Sequence, residues 1–299
     1  MHVSSEPAYS YLSYPSLQLP DVQVIHEKGS GTANEDLYLN EEGLYGVFDG
    51  ATSLSKKRYS QGRTGGYIAA RIAAETFREN SRDLYSSVVE ANTRIRVAQE
   101  AEGGSGNERH GLWSTSLAVV RIFEDRLDYC SLGDAAILLI TSDGGYRLLT
   151  QELDIDRETL SMWRAYRGNN PSIYEVLAEQ IRKVRNRMNI DYGVLNGEHA
   201  ALDFVQSGTV LLKGVTDVLL FTDGLLIPRE NPEEPHDWEC FVRLYQAGGL
   251  KEIRDYVRSL QALDPANRRY PRFKTHDDIA AVSMSCQREL TAAWSAVST

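Results

Sequence analysis

Carboxylates recur in four short motifs of this chain: Asn34-Glu35-Asp36, Asp49-Gly50, Asp223-Gly224 and Asp277-Asp278. Each stands at the end of a segment that reads as a β-strand, namely 44–48 before Asp49, 218–222 before Asp223 and 279–282 after the last pair. Carboxylates at strand ends suit a hard cation, because Mg²⁺ and Mn²⁺ take oxygen ligands. Residues from distant parts of a sheet can converge on one such pocket. Asp-Gly is also a common turn dipeptide, so one motif alone reads as a turn. Four of them, all beside apolar runs, read as a metal site.

If these motifs form one site, the chain must close on itself, since they run from near one terminus to near the other. The chain has 299 residues, of which 42% are hydrophobic and 25% charged, ordinary values for a globular protein with a sizeable core. The expected organisation is an extended lead-in over 1–20, rich in Ser, Tyr and Pro, followed by a single domain over 21–299. A formal net charge of −10 argues against non-specific nucleic-acid binding, because phosphate backbones attract basic surfaces. Cys130, Cys240 and Cys286 are far apart and form no CxxC pair, which supports neither a disulfide framework nor a zinc site. The six histidines do not cluster at ligand spacing. The first 20 residues lack the charged and apolar regions of a signal peptide, and no segment approaches the roughly 18 apolar residues of a membrane span. A cytoplasmic monomer without nucleic-acid or membrane partners is the expectation.

The elements that must position the carboxylates can be read in outline. Segments 22–25, 36–39 and 43–49 read as strands, the last two as an antiparallel pair. A helix is predicted over 62–80, with Gly65, Gly66, Ala69, Ala70 and Ala73 forming a small-residue face that allows close approach to a sheet. A second helix is predicted from the N-cap Ser81, with Leu84, Val88, Ala91, Ile95 and Ala98 about one turn apart. A loop follows at 103–106. Hairpins are predicted at 114–131, around Glu124-Asp125, and at 137–149, around Asp143-Gly144-Gly145. Segment 157–189 reads as helical with a break at 168–171. Its basic run over 182–187 reads as the exposed side of a helix. Strands flank Lys213-Gly214, two helices split at Gly248-Gly249 fill 237–262, and a final strand covers 279–285. Strands and helices come in blocks, which points to α+β with largely antiparallel sheets.

With the motifs placed, the chain resembles the type-2C, metal-dependent protein serine/threonine phosphatases (the PPM family) over about 24–285. The resemblance rests on Asn34-Glu35-Asp36, Tyr45-Gly46-Val47-Phe48-Asp49-Gly50, Ser114-Thr115-Ser116-Leu117-Ala118, Ser131-Leu132-Gly133-Asp134, Leu220-Phe221-Thr222-Asp223-Gly224-Leu225 and Asp277-Asp278-Ile279, in the family's order. It implies a four-layer α-β-β-α sandwich of two antiparallel sheets with the metal centre at one edge. Asp49 would bridge two Mg²⁺ or Mn²⁺ ions and Gly50 would offer its carbonyl. Asp223 and Asp277 would complete the other ion, and Glu35 and Asp36 would hold metal-bound waters. Asp134 matches an aspartate that helps hold a third ion, although capping a tight turn is an equal reading. Asp278 competes with Asp277 as ligand, since one residue of register reverses the side chain.

The implied reaction is in-line attack of water, activated by two ions about 4 Å apart, on a phosphomonoester of a phosphorylated protein. No Cys or Ser nucleophile is needed.

Several positions depart from the pattern. The usual phosphate-gripping arginine is Gly31 here, and Lys28 is the candidate substitute. Ala51 stands where some members have a histidine, Ile227 where a third-metal aspartate is frequent, Asp278 where Asn is common, and Ala135-Ala136 where Ser-Arg is usual. These departures keep open a catalytically weak module that binds phosphoproteins or regulates. The metal core alone would equally suit a small-molecule phosphomonoesterase. Among residues outside the motifs, Lys56, Lys57, Arg58 and Arg63 read as a solvated face, and His276 is the histidine closest to the candidate ligands. Trp113, Trp163 and Trp238 read as packing residues.

Overall fold

A strand covered on both faces must be apolar at every position, and the two side-chain sets then feed two different cores. The computed structural model, which describes residues 21–52, 54, 57–79, 83–103, 109–169 and 172–286, is built on such strands. It begins with β1 (Val22–Glu27), β2 (Leu37–Glu41) and β3 (Leu44–Gly50), followed by helices α1 (Gly65–Glu79) and α2 (Leu84–Ala101). Strands β4 (Thr115–Ile122), β5 (Arg126–Leu132), β6 (Ala136–Thr141) and β7 (Tyr146–Leu148) come next. Helices α3 (Arg157–Ala165), α4 (Ile173–Val176) and α5 (Ala178–Arg185) are inserted before β8 (Gln206–Leu211) and β9 (Val215–Phe221). Helix α6 (Trp238–Ala262) and β10 (Ile279–Ser285) close the fold.

The strands form two five-stranded sheets, ordered β1-β10-β9-β6-β7 and β2-β3-β4-β5-β8, and every pairing is antiparallel. Period-2 alternation divides each central strand between two cores. Val218 and Leu220 of β9 meet Ala118 and Val120 of β4 between the sheets. On the outer face of the first sheet, Leu219 and Phe221 pack on Phe241, Tyr245 and Ile253 of α6. Across the second sheet, Leu117 and Val119 pack on Ala69, Ala73 and Phe77 of α1 and on Val88 and Ile95 of α2. The result is the four-layer α-β-β-α sandwich.

Local chemistry accounts for where the elements begin and break. Helix α1 starts at Gly65, later than the predicted Gly62, because the Thr64 hydroxyl accepts from the Tyr67 N–H at 3.2 Å and caps it there. Helix α2 is capped by Asp83, whose Oδ1 accepts from Ser86 N–H at 2.9 Å. The predicted cap Ser81 lies outside the described residues, as do the lead-in 1–20, Lys56, most of the 103–106 loop and the Asn170-Pro171 break. Helix α6 is interrupted at Gly248-Gly249 as expected. Gly249 has φ +70°, and a Cβ there would fall 2.2 Å from Gln23 Oε1, which instead accepts from the Leu250 N–H at 3.1 Å.

The strands flanking Lys213-Gly214 join different sheets, β8 pairing with β5 and β9 with β6 and β10. Strand β8 is an exposed edge, while β9 is buried in the centre. Segment 157–189 gives three helical pieces around a separate small core of Trp163, Ile173, Leu177 and Ile181, packed with Phe273. No helix of the described residues is long and apolar enough to cross a membrane.

Candidate metal centre

Five aspartates reach one cleft because antiparallel registry brings their strand ends to the same end of the sandwich. Asp49 ends β3 opposite Ser116, Asp36 precedes β2, and Asp134 lies in the β5–β6 turn. Asp223 follows β9 and Asp277 precedes β10. All five line a single cavity together with Gly50. Close backbone contact behind the site explains the small residues: a Cβ on Gly50 would meet the Glu35 and Gly66 carbonyl oxygens at 2.6 Å. That contact seats α1 directly behind the Asp49-Gly50 turn.

The carboxylates are positioned by bonds that cross between the sheets. Asp36, 3% exposed, accepts from the Thr222 hydroxyl at 2.7 Å, and the Thr222 oxygen accepts from the Ala280 N–H at 3.0 Å. Asp278 accepts from Gly29 N–H at 2.7 Å and Glu35 N–H at 3.0 Å. Both of its oxygens are engaged with backbone, while Asp277 lines the cavity and accepts from Lys274 Nζ at 2.7 Å. The sequence reading took Asp277 as the ligand with Asp278 as its competitor, and of the two Asp277 lines the cavity. A carboxylate at Asp278 accepts both bonds; an amide there would present only one acceptor oxygen.

Glu35 sits just behind the cavity wall. One of its oxygens accepts from the Thr52 hydroxyl at 2.6 Å, and Oε1 is buried with no partner. Lys28 is exposed and does not line the cavity, so it is not brought to the other candidates. Arg58 is turned to the Thr32 hydroxyl and Arg63 stacks over Tyr67. Neither Lys57 nor His276 lines the cavity. Trp113 and Trp163 are buried, and Trp238 packs on Phe221 and Phe241.

Crowded carboxylates resist ionisation together. Loss of hydration, then repulsion by its neighbours, holds Asp49 well above the ordinary range. The same causes raise Asp223, with Asp277 and Asp134 the strongest repelling groups. Asp223 is nevertheless exposed at the cavity mouth, which favours repulsion over lost hydration as the cause there. Asp36 is raised by burial, against the Thr222 bond that lowers it, and burial raises Asp134.

Three charged residues of this cavity, Asp156, Arg185 and Lys274, escaped the sequence reading as site residues. Asp156, at the start of α3, lines it, and burial followed by repulsion from Asp134 lifts its pKa to about 7. Arg185, at the end of α5, also lines it. The 182–187 run is therefore not wholly a solvated face: Arg182, Lys183 and Arg187 are exposed, whereas Arg185 is half-buried. Its sequence signal was helical spacing, since Ile181, Val184, Arg185 and Met188 share one face and all line the cavity.

The donor set is all hard oxygen, and the orphaned Glu35 Oε1 together with the raised carboxyls marks a place that lacks positive charge. Among the described residues no three Asp, Glu, His or Cys side chains already meet closely enough to chelate one ion; the aspartates line a common space rather than touch. Divalent cations would fit this chemistry, since their charge would offset carboxylates that otherwise repel.

The family profile described as protein phosphatase 2C matches residues 26–258. No curated protein matches the chain. Among solved structures, the catalytic domain of the serine/threonine phosphatase PstP in complex with 2 manganese ions is 15% identical, covering 90% of this chain and 99% of that one at a TM-score of 0.54. The PstP/Ppp phosphatase of Mycobacterium tuberculosis is 15% identical, with 91% and 100% covered and a TM-score of 0.55. Stp1 of Staphylococcus aureus is 16% identical, with 91% and 96% covered at 0.54. At these identities the likeness is one of fold.

Proposed function

Because the chain belongs to the protein phosphatase 2C family, and with it to the metal-dependent protein phosphatases, we propose that it hydrolyses phosphoserine or phosphothreonine in proteins at the cleft lined by Asp36, Asp49, Asp134, Asp223 and Asp277. The convergence of these five side chains from separate strand ends on one cavity carries the reading. Asp49, Gly50, Asp223 and Asp277 are the proposed holders of two Mg²⁺ or Mn²⁺ ions, with Asp134 available to a further ion and Glu35 and Asp36 directed at their hydration. Bound divalent cations supply the positive field that admits a phosphate and activate water for attack.

The chain's own groups shape the rest. Thr222 and Thr52 fix the Asp36 and Glu35 carboxylates, so these oxygens are preorganised to accept protons from ordered water. Attack on phosphorus forms one P–O bond and breaks the bond to the serine or threonine oxygen, which leaves as the alcohol. Among the described residues no cysteine lines the cavity, and burial pushes the Cys130 and Cys286 thiols up to about 12, which does not favour a cysteinyl nucleophile. Burial would discharge Lys274, but attraction to Asp277 and the hydrogen bond to it, with Tyr174 and Asp278 adding to them, together keep it cationic.

Hydrolysis of a phosphopeptide and of p-nitrophenyl phosphate, with EDTA, Mg²⁺ or Mn²⁺, tests the proposal. Metal-dependent turnover that falls on the order of a hundredfold or more in Asp49→Asn is expected, since several kcal/mol of charge stabilisation is removed. Folded protein that turns over neither compound with any metal would overturn it. Preference for the small ester would redirect the substrate class.

A further inference from the structure

A phosphate dianion entering this cavity meets six carboxylates, those of Asp36, Asp49, Asp134, Asp156, Asp223 and Asp277, and two side-chain cations, Lys274 and Arg185. Lys274 is engaged by Asp277 at 2.7 Å. Arg185 differs, because among the described residues its guanidinium has no hydrogen bond or ion pair. Its charge is nonetheless felt inside the cavity, where it opposes the rise in the Asp156 and Tyr174 pKa values. Gly31 offers no cation and Lys28 lies outside the cavity.

The support beneath Arg185 is stiff. Ile181, one turn earlier on α5, is buried in the small core with Trp163, Ile173 and Leu177. Just beyond the helix, Asn189 donates to Asn196 Oδ1 at 2.8 Å and accepts from Val194 N–H at 2.9 Å. Met188, between the two anchors, is 3% exposed. The guanidinium is therefore held at the cavity wall with its donors free, an arrangement that favours two parallel hydrogen bonds to phosphate oxygens.

We propose that Arg185, delivered by the inserted helix α5, is the residue that binds the phosphate group of the substrate. This deepens the phosphatase reading and rests on it, but it predicts a binding event measurable without turnover. The alternative is that Arg185 only offsets the charge of Asp156.

The experiment is a calorimetric titration of inorganic phosphate into Mg²⁺-loaded protein, comparing wild type with Arg185→Ala, Arg185→Lys and Arg182→Ala. Circular dichroism and melting curves establish that each variant is folded. Removing a charge-assisted bidentate contact should weaken phosphate about tenfold or more in Arg185→Ala. Arg185→Lys should fall between it and wild type, because an ammonium binds as a point charge. The Arg182→Ala variant, which removes an exposed charge from the same helix, should bind as wild type does.

Equal affinity in wild type and Arg185→Ala would overturn the inference. An equal loss in Arg182→Ala, or no phosphate binding by wild type, would do the same. Absence of phosphoprotein turnover would count against the phosphatase reading while this titration still decided the role of Arg185.

Discussion

The two walls of the cleft are held by different forces. On the sheet wall, Asp49 is fixed by strand registry against Ser116, and Asp36 by a hydroxyl relay through Thr222 to Ala280. Asp36, Asp223 and Asp277 stand just outside strands whose ladders continue into the core. On the inserted wall, Asp156, Tyr174 and Arg185 ride on helices α3 to α5, which are joined to the body by a small core around Trp163 and by polar contacts. Trp163 Nε1 donates to the Asn267 carbonyl at 2.9 Å, and the Arg268 guanidinium lies 3.7 Å from the ring centre. The ligand-bearing wall is thus part of the global fold. The wall that carries Arg185 rests instead on a small core of its own, so its stability is expected to be local.

Removing Trp163 gives the sharpest test of this contrast. Trp163→Ala empties a site that is 1% exposed and should cost about 3–5 kcal/mol. If the walls are separable, hydrogen exchange should accelerate over 157–185 while amides of β3 and β4 keep their protection, and KM should rise more than kcat falls. Uniform loss of protection would show one cooperative unit instead.

An intermediate effect is expected from the carboxylates that face the cleft from both walls. Carboxyls with raised pKa values keep protons in the folded chain that the unfolded chain has released. Their stabilisation is full below the ordinary value of 3.8 and is lost as pH rises through the folded value, about 7 for Asp156. Metal-free protein should therefore melt several degrees higher near pH 5.5 than near pH 7.5. Saturating Mg²⁺ should shrink that difference by stabilising the ionised forms, as should Asp223→Asn. A metal-free melting temperature that climbs over this interval would contradict the repulsive cluster.

The smallest change addresses a part of the molecule remote from both walls. Asp83→Ala removes the α2 cap and should cost about 1 kcal/mol in denaturant unfolding, with phosphate binding and turnover unaltered. A loss of either would mean that the cleft senses the outer helical layer.

How much of this was legible follows the same division. Asp49, Asp223 and Asp277 could be read because a carboxylate after an apolar run survives any detail of packing. Both hairpins and the Gly248-Gly249 break were likewise written locally. The later start of α1 depended on Thr64, a cap that a small-residue pattern does not display. The sheets joined by β8 and β9 were not readable from the Lys213-Gly214 turn, because pairing partners are chosen by distant strands.

The sequence by itself determined the ordered acidic motifs, the apolar runs of the central strands and the block order of strands and helices, and hence the α+β class and the kind of cation the site would attract. These are properties of residue type and short spacing. Only the tertiary structure decided that Asp277 rather than Asp278 faces the cavity, that Glu35 stands behind it, and that Arg185 enters it from an insertion 136 positions after Asp49. Those outcomes depend on which surfaces come to share one space, and that is fixed by long-range burial and strand registry, which local sequence does not encode.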